Sequence, residues 1–161
     1  MGMEKKYSYS FITTWKIKAD LPRVWEVLYN QEAWPGWWKG VKKVEALQEG
    51  DSGHIGKKMR YTWKSLLPYT LSFDMTSVHI IPHSYMEGHA SGELEGVGKW
   101  YFNEAQGVTT IQYSWEVNTT KKWMNLLTPV LKPAFKWNHD VVMRWGAAGL
   151  AKKLNAELLQ A

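Results

Sequence analysis

The alternation of apolar and polar residues predicts that the chain opens with a β-strand. Between residues 7 and 18, aromatic and aliphatic residues occupy most odd-numbered positions, whereas serine, threonine and lysine occupy most of the even-numbered ones. A period of two is typical of a strand with one face buried. We therefore expect this strand to bury its odd-numbered side chains, with Ile12 as an apolar exception on the other face.

Two short helices are predicted next. Asp20 is a suitable N-cap, Pro22 lies near the first turn, and apolar residues continue to about Tyr29. Residues 30–40 contain a proline and a glycine, which favour a second short helix or turn there.

The middle of the chain predicts a series of strands joined by short turns rich in glycine and asparagine. Each strand has alternating apolar positions, and short connections of this kind join antiparallel neighbours. We expect six further strands, over residues 41–47, 55–64, 69–76, 85–90, 93–103 and 108–117.

The last third of the chain changes to the period of an α-helix. Thr119 or Thr120 can cap a first turn, Pro129 is suited to a first helical position, and the pattern then continues to about Leu159. At 100° per residue, the apolar residues that lie within about 60° of Asn138 predict the buried face. They are Leu127, Leu131, Ala134, Phe135, Val141, Val142, Trp145 and Gly149.

These elements predict an α+β fold with a seven-stranded antiparallel sheet, two short helices after its first strand, and one long C-terminal helix. A sheet of this size has more apolar area than one helix can cover, so we expect it to curve and to enclose a cavity. With 161 residues and 45% hydrophobic content, residues 1–161 are predicted to form a single domain.

Composition adds to this picture mainly through its aromatic residues. Eleven tryptophans in 161 residues are more than a small core requires, and they indicate an aromatic cavity with an aromatic rim.

The formal charge of +5 comes from dispersed lysines, which are typical of a solvated surface, so nucleic-acid binding is not expected. No cysteine is present, which excludes disulfides, thiolate zinc sites and a cysteine nucleophile. The N-terminal segment lacks the apolar region of a signal peptide, from which we expect a cytoplasmic protein.

Four segments carry a resemblance to a known family. They are residues 19–28, residues 34–44, the glycine-rich residues 90–100, and the sequence Asn138-His139-Asp140 with the helix that follows it to residue 154. Together they resemble the START-like (SRPBCC) superfamily with the helix-grip fold, in the branch called polyketide cyclase/dehydrase and lipid transport. The resemblance implies a curved sheet wrapped around the long helix and a hydrophobic-ligand pocket between them.

We therefore predict a carrier or sensor that encloses a small hydrophobic or amphipathic molecule and needs no cofactor. The predicted lining combines inward strand positions with the helix stripe: Met59, Tyr61, Trp63, Phe73, Met75, Trp100, Tyr113, Trp115, Phe135, Asn138, Val142 and Trp145. The alternative is a cyclase, dehydratase or aromatase that acts on a polyketide-like substrate in the same pocket.

The candidate polar groups each have two interpretations. Asn138 is either a hydrogen-bonding group for a ligand or a structural amide bonded to backbone or to an indole. His139 is the candidate catalytic base, although Asp140 projects about 100° away from it on the helix and is not expected to orient it. His79, His83 and His89 lack the spacing of a metal site, so no metal is predicted.

The segment around Trp34, Trp37, Trp38 and Lys39 also has two interpretations. Indoles beside lysines suit a membrane interface, which would allow transient contact with a bilayer. Alternatively, these indoles close one end of the core. The sequence does not determine the oligomeric state.

Overall fold

The computed structural model describes residues 8–161 as one curved antiparallel sheet packed against a long helix. In chain order its elements are β1 (Ser8–Ile17), α1 (Leu21–Tyr29), a 3₁₀ helix (Gln31–Gly36), β2 (Val41–Gln48), β3 (Lys58–Lys64), β4 (Thr70–Ile81), β5 (Tyr85–Gly92), β6 (Leu94–Ala105), β7 (Val108–Thr119), α2 (Lys122–Leu154) and β8 (Leu158–Gln160). The predicted α+β helix-grip architecture is confirmed, with both short helices between β1 and β2. Tyr7, the predicted start of the first strand, lies outside the described residues.

The sheet has the order β2-β3-β4-β5-β6-β7-β1-β8. Strands β2 to β7 form a meander, and β1 then pairs with β7 from Ser8↔Asn118 to Ile17↔Thr109. The described residues thus contain eight strands rather than the predicted seven. The additional strand, β8, pairs with the free edge of β1 at Lys16↔Gln160 and Ile17↔Leu158.

The long helix ends earlier than predicted, at Leu154 instead of near Leu159. Asn155 adopts the left-handed conformation, with φ 51° and ψ 49°, and the amide of Ala156 donates to the carbonyl of Ala151. Asparagine tolerates this conformation better than most residues, and the open edge of β1 offers backbone partners to the chain beyond it. The residues after the cap therefore form a strand.

Two predicted strand boundaries differ from the observed ones by three residues or more. Strand β3 begins at Lys58 instead of residue 55, because the Asp51 carboxylate accepts backbone hydrogen bonds from Gly53 and Ile55 at 2.8 and 3.0 Å and fixes a turn. Strand β4 extends to Ile81, five residues beyond the predicted end, through its pairing with β5.

Helix α2 begins at Lys122 and continues through both Pro129 and Pro133. Each proline removes one backbone hydrogen bond from the helix, so its N-terminal half depends on tertiary contacts. No helix within residues 8–161 combines the length and apolarity needed to span a membrane.

The buried face of α2 differs from the predicted stripe. Its buried residues include Met124, Met143, Ala147 and Leu150, whereas Leu127 of the predicted stripe is 44% exposed and Val142 is the stripe's fully buried member. At 100° per residue, the observed face is rotated by roughly 115° from the Asn138-centred one. The N-terminal half of the helix carries apolar residues on both sides, so the sequence pattern alone is ambiguous about which side faces the sheet.

Candidate functional site

Two adjoining cavities lie between the sheet and the helices. The first, which we call lobe 1, has a volume of about 270 Å³ and lies between strands β3 to β6 and the 3₁₀ helix. The second, lobe 2, has a volume of about 160 Å³ and lies between the sheet and α2. The side of lobe 2 formed by α2 includes Met124, Phe135, Asn138, His139 and Val142.

An aromatic partition separates the two lobes. Five side chains line both cavities, namely Trp34, Trp63, Phe73, Trp100 and Tyr113. The rings of Trp100 and Tyr113 stack with centroids 4.2 Å apart, and these two residues are directly opposite each other on β6 and β7. Cross-strand aromatic pairs of this kind stabilise a sheet, so the partition is part of the core as well as part of both cavity walls.

Gly98 provides the space for this aromatic wall. It lies opposite Trp115 on the neighbouring strand, and a β-carbon at this position would come within 2.8 Å of the Tyr113 hydroxyl oxygen and 3.1 Å of the Trp115 ring. A larger residue would therefore force both rings to move.

Eleven of the twelve predicted lining residues line at least one lobe. Met59, Tyr61 and Met75 line lobe 1; Trp115, Phe135, Asn138 and Val142 line lobe 2; Trp63, Phe73, Trp100 and Tyr113 line both. Trp145 lines neither of these lobes. Its ring lies beside Gly40 and beneath the ammonium group of Lys39, 4.5 Å from the ring centroid, because α2 is rotated relative to the predicted stripe.

Lobe 2 contains buried polar atoms without hydrogen-bond partners among the described residues. They are the side-chain oxygen of Asn138, both ring nitrogens of His139, the hydroxyl oxygen of Tyr9 and the indole nitrogen of Trp63. The side-chain oxygen of Asn138 therefore has no backbone or indole partner among these residues. An unpaired buried polar group costs about 1–3 kcal/mol, which makes these atoms candidates for contact with a ligand.

The imidazole of His139 is held in place by packing. It stacks on the ring of Phe11 with centroids 4.2 Å apart and an angle of 12° between the planes. Burial lowers the pKa of His139 to about 4, against the opposing effect of the Asp140 carboxylate. Its Nδ1 atom is 3.9 Å from Asp140 Oδ1, which is too long for a hydrogen bond, so the neutral ring is not oriented by that acid.

Lobe 1 has a more polar entrance, which the sequence patterns did not reveal. The Tyr61 hydroxyl donates to Gln31 Oε1, and Lys57 forms an ion pair with Glu32 at 2.8 Å. Burial raises the pKa of Tyr61, so its phenol remains a donor at neutral pH. Gln31, Glu32 and Lys57 lie on the 3₁₀ helix and a loop, where no periodicity indicates which side chains face inward.

Further residues of lobe 2 could have been identified from sequence, among them Tyr69 and Leu71, which share the predicted strand face of Phe73. Tyr9 and Phe11 both line this lobe, and both share the predicted inward face of the first strand with Trp15. Met124 also lines it, but it lies in the first turn of α2, where the sequence pattern predicted no inward face.

The indoles of residues 34–38 pack within the fold. Trp34 and Trp38 are buried, and their indole N–H groups donate to the carbonyls of Leu28 and Val142 at 3.2 and 2.9 Å. Trp37 stacks on Trp38 with centroids 5.6 Å apart. These indoles close one end of the core, where the buried N–H groups of Trp34 and Trp38 have backbone acceptors and that of Trp37 has no partner.

The three histidines of the middle strands are dispersed. His79 packs against Tyr85, His83 against Trp25, and His89 forms a contact of 3.1 Å with Glu87. Across residues 8–161, no group of three or more histidine, aspartate or glutamate side chains is placed to hold a metal ion.

Comparison with known proteins gives a family and a set of similar folds. A family model described as "Polyketide cyclase / dehydrase and lipid transport" matches residues 17–142. A search of curated protein sequences finds no match. Among solved structures, the Zhui aromatase/cyclase from Streptomyces sp. R1128 aligns with a TM-score of 0.76 and 13% identity, over 92% of this chain and 94% of that chain.

Two further solved structures, of differently named proteins, have the same fold. A START superfamily protein from Mycobacterium smegmatis aligns with a TM-score of 0.73 and 13% identity, over 91% of this chain and 97% of that chain. The ginseng major latex-like protein 151 from Panax ginseng aligns with a TM-score of 0.62 and 13% identity, over 88% of this chain and 97% of that chain. At these identities the likeness concerns the fold, which serves proteins of several kinds.

Proposed function

The chain belongs to the polyketide cyclase/dehydrase and lipid transport family, and on that premise we propose that it binds a small hydrophobic or amphipathic molecule across the two lobes, as a carrier or sensor. The observation that carries the proposal is an aromatic chamber with a few unpartnered polar atoms in its lining. Ligand sites commonly combine an apolar lining with a small number of polar groups that fix orientation.

The size of the lobes supports a ligand with ring-sized parts. An apolar cavity of about 150 Å³ is large enough to bind benzene. Lobe 2, at about 160 Å³, therefore has room for a single ring or a short branched chain, and lobe 1, at about 270 Å³, for a larger group. Stacked aromatic walls favour flat, apolar ligands over strongly hydrated ones.

The polar atoms of lobe 2 support an amphipathic ligand. The Asn138 oxygen accepts hydrogen bonds, and a neutral His139 offers one donor and one acceptor. A hydroxyl or carbonyl group on the ligand would satisfy these atoms, and a purely aliphatic ligand would leave them unpaired. The ligand class that fits best is a ring-containing molecule with one hydroxyl or carbonyl group.

Two variants test the site. Gly88 lines lobe 1, so a leucine side chain at this position would fill part of the lobe. The substitution should cost little stability, because a β-carbon at residue 88 comes within 3 Å only of the flexible end of the Met75 side chain. Gln112→Leu is the matched control, since this residue is exposed on β7. We expect Gly88→Leu to weaken binding of the fluorescent probe anilinonaphthalene sulfonate by about tenfold or more, with Gln112→Leu unchanged.

Native mass spectrometry of protein purified from its own host gives a second readout, because a bound molecule adds its mass to the folded protein. Equal probe affinity in wild type and Gly88→Leu, together with no co-purified molecule, would overturn the proposal.

His139 favours a second candidate, a cyclase, dehydratase or aromatase that acts on a polyketide-like substrate. Its neutral ring faces lobe 2 with both nitrogens free of protein partners. With a pKa of about 4, His139 is a weaker base than the ideal catalytic base, whose pKa lies near the pH at which the enzyme works. We would measure both probe affinity and turnover of a polyketide-like substrate in His139→Ala and Asn138→Ala. Loss of turnover at unchanged affinity would support the enzyme, and loss of affinity alone would exclude it.

A further inference from the structure

Two facing glycines bring a tyrosine hydroxyl into lobe 1. Gly88 on β5 and Gly98 on β6 are directly opposite each other, and both line lobe 1 but not lobe 2. The hydroxyl oxygen of Tyr113 lies over Gly98, 2.8 Å from the position that a β-carbon would take there. The methyl end of Met75 lies over Gly88 at the same distance. This wall of lobe 1 therefore presents one hydroxyl group and one flexible thioether, and a ligand can approach the sheet closely there.

The ring of Tyr113 is held in place by two indoles. It stacks on Trp100 with centroids 4.2 Å apart and on Trp115 with centroids 6.0 Å apart. Trp100 lies directly opposite Tyr113 on β6, and Trp115 lies two residues further along β7, on the same face of the sheet. A close-packed ring has little freedom to turn, so the hydroxyl keeps its position beside Gly98.

The Tyr113 hydroxyl has no hydrogen-bond partner within residues 8–161. Burial raises the pKa of Tyr113, so the phenol stays protonated at neutral pH and can donate a hydrogen bond. The indole N–H of Trp63, which belongs to the same partition, is also unpaired. Because this wall has donors without acceptors, the group that complements it is an acceptor.

Polar side chains nearer the entrance of lobe 1 already have partners within the protein. Tyr61 donates to Gln31, and Lys57 forms its ion pair with Glu32. The phenol of Tyr113 is near enough to Tyr61 to raise the pKa of Tyr61 beyond the effect of burial. A ligand can therefore reach the Tyr113 hydroxyl inside lobe 1 without breaking either of these pairs.

We propose that Tyr113 determines ligand specificity in lobe 1, where its hydroxyl donates a hydrogen bond to the carbonyl oxygen of a flat ring ketone. The inference rests on the proposed function and deepens it, because it assigns lobe 1 an oxygen function besides the group proposed for lobe 2. A carbonyl is the best match, since it accepts hydrogen bonds and brings no further donor to this wall. The flexible end of Met75 can move to admit rings of different shape.

Two flat molecules that differ by one carbonyl group test the proposal. They are 9-fluorenone and fluorene, which has a methylene group in place of the carbonyl. Displacement of anilinonaphthalene sulfonate measures the Kd of each in wild type and in Tyr113→Phe. We expect fluorene to bind the two proteins equally within about twofold, and fluorenone to bind Tyr113→Phe about five- to tenfold more weakly than wild type, as expected for the loss of one hydrogen bond.

Infrared difference spectroscopy of bound fluorenone detects the hydrogen bond directly. A hydrogen bond to the oxygen weakens the carbonyl double bond, so the carbonyl stretching frequency should be lower in wild type than in Tyr113→Phe. Equal frequencies in the two proteins, or equal fluorenone affinities, would overturn the proposal.

Tyr101→Phe is the matched control. Tyr101 is exposed on β6 and lines neither lobe, so the substitution removes the same hydroxyl outside the chamber and should leave both affinities unchanged. His139→Phe separates the two lobes, since His139 lines lobe 2 alone. A loss of fluorenone affinity in His139→Phe but not in Tyr113→Phe would place the carbonyl in lobe 2 and contradict the proposal.

Urea denaturation of the ligand-free proteins checks the folding of Tyr113→Phe. Because the hydroxyl has no partner to lose, the midpoint should equal or exceed that of wild type, and a lower midpoint would show that the hydroxyl bonds within the protein, against the proposal. Failure of fluorene, fluorenone and the fluorescent probe to bind wild type would overturn the proposed function as well. Binding of all three without an effect of Tyr113→Phe would overturn the role of Tyr113 alone.

Discussion

The indole ring of Trp38 lies directly against the backbone of Gly146 on α2, with no space for a β-carbon between them. One turn earlier, the carbonyl of Val142 accepts the hydrogen bond from the Trp38 indole at 2.9 Å. The segment after α1 is thereby anchored to the helix at one point, which closes the core beside lobe 2. Trp38 lines that lobe, so this contact also sets one of its walls.

Gly146→Ala is expected to destabilise the protein by about 1–3 kcal/mol, because the added methyl group must displace the ring of Trp38. Alanine in place of glycine normally stabilises a helix by about 0.5–1 kcal/mol, so the expected sign is opposite to the usual one. Urea denaturation monitored by circular dichroism measures the difference.

Gly36→Ala is the matched control, since a β-carbon there meets no atom within 4 Å. The control should change the free energy of unfolding by less than about 0.5 kcal/mol. Equal effects of the two substitutions would contradict the close contact of Trp38 with Gly146.

His139 should make stability depend on pH. Burial lowers its pKa from 6.5 to about 4, so the unfolded chain binds a proton below pH 6.5 that the folded protein excludes until about pH 4. Stability therefore falls as the pH decreases through this window. Between pH 7 and pH 5 the expected loss from this residue is about 2 kcal/mol, at 1.36 kcal/mol for each unit of pKa difference.

His139→Phe isolates this contribution, because phenylalanine can keep the stack on Phe11 but cannot take up a proton. Urea denaturation at both pH values should show that wild type loses about 2 kcal/mol more than the variant. The remaining carboxylates and histidines titrate in both proteins and cancel in the comparison. If wild type and His139→Phe lost the same stability between the two pH values, the His139 imidazole would be exposed to water in the folded protein.

The aromatic partition should control ligand size. Trp63 lines both lobes, and Trp63→Leu removes part of the wall between them. We expect the variant to bind pyrene more strongly than wild type does, with a smaller change for naphthalene, at a cost in stability of about 2–3 kcal/mol. Fluorescence titration with both hydrocarbons measures this ratio.

Trp137→Leu makes the same substitution at an exposed position outside both lobes and serves as the control. An unchanged pyrene-to-naphthalene ratio in Trp63→Leu would show that Trp63 does not limit ligand length. Equal changes in the two variants would show that the hydrocarbons bind at the surface.

Strand residues were the most predictable part of the site. Alternation along β3, β4, β6 and β7 placed Tyr61, Phe73, Trp100 and Tyr113 on the inward face, and each lines a lobe. A strand has two faces, and when one of them is strongly apolar the choice of the inward face follows from composition. The same argument holds for Tyr9 and Phe11.

Helix residues were less predictable. Leu127 is exposed and Trp145 lies outside both lobes, although both were expected on the buried stripe. Apolar residues encircle the first half of α2, and a helix can be rotated by one residue at little local cost. Specific tertiary contacts, such as that of Trp38 with Gly146, set the rotation of the helix, and the hydrophobic periodicity of the sequence does not predict them.

The sequence by itself determined the α+β class, the order of the elements, the family resemblance and the inward faces of the strands, because these follow from local periodicity and turn chemistry. The tertiary structure alone decided which arc of α2 meets the sheet, how the aromatic residues divide the chamber into two lobes, and which apolar side chains remain at the surface. These features depend on contacts between residues distant in the chain, such as Trp38 with Val142 and Phe11 with His139. Close packing selects one such arrangement from several that the pattern permits.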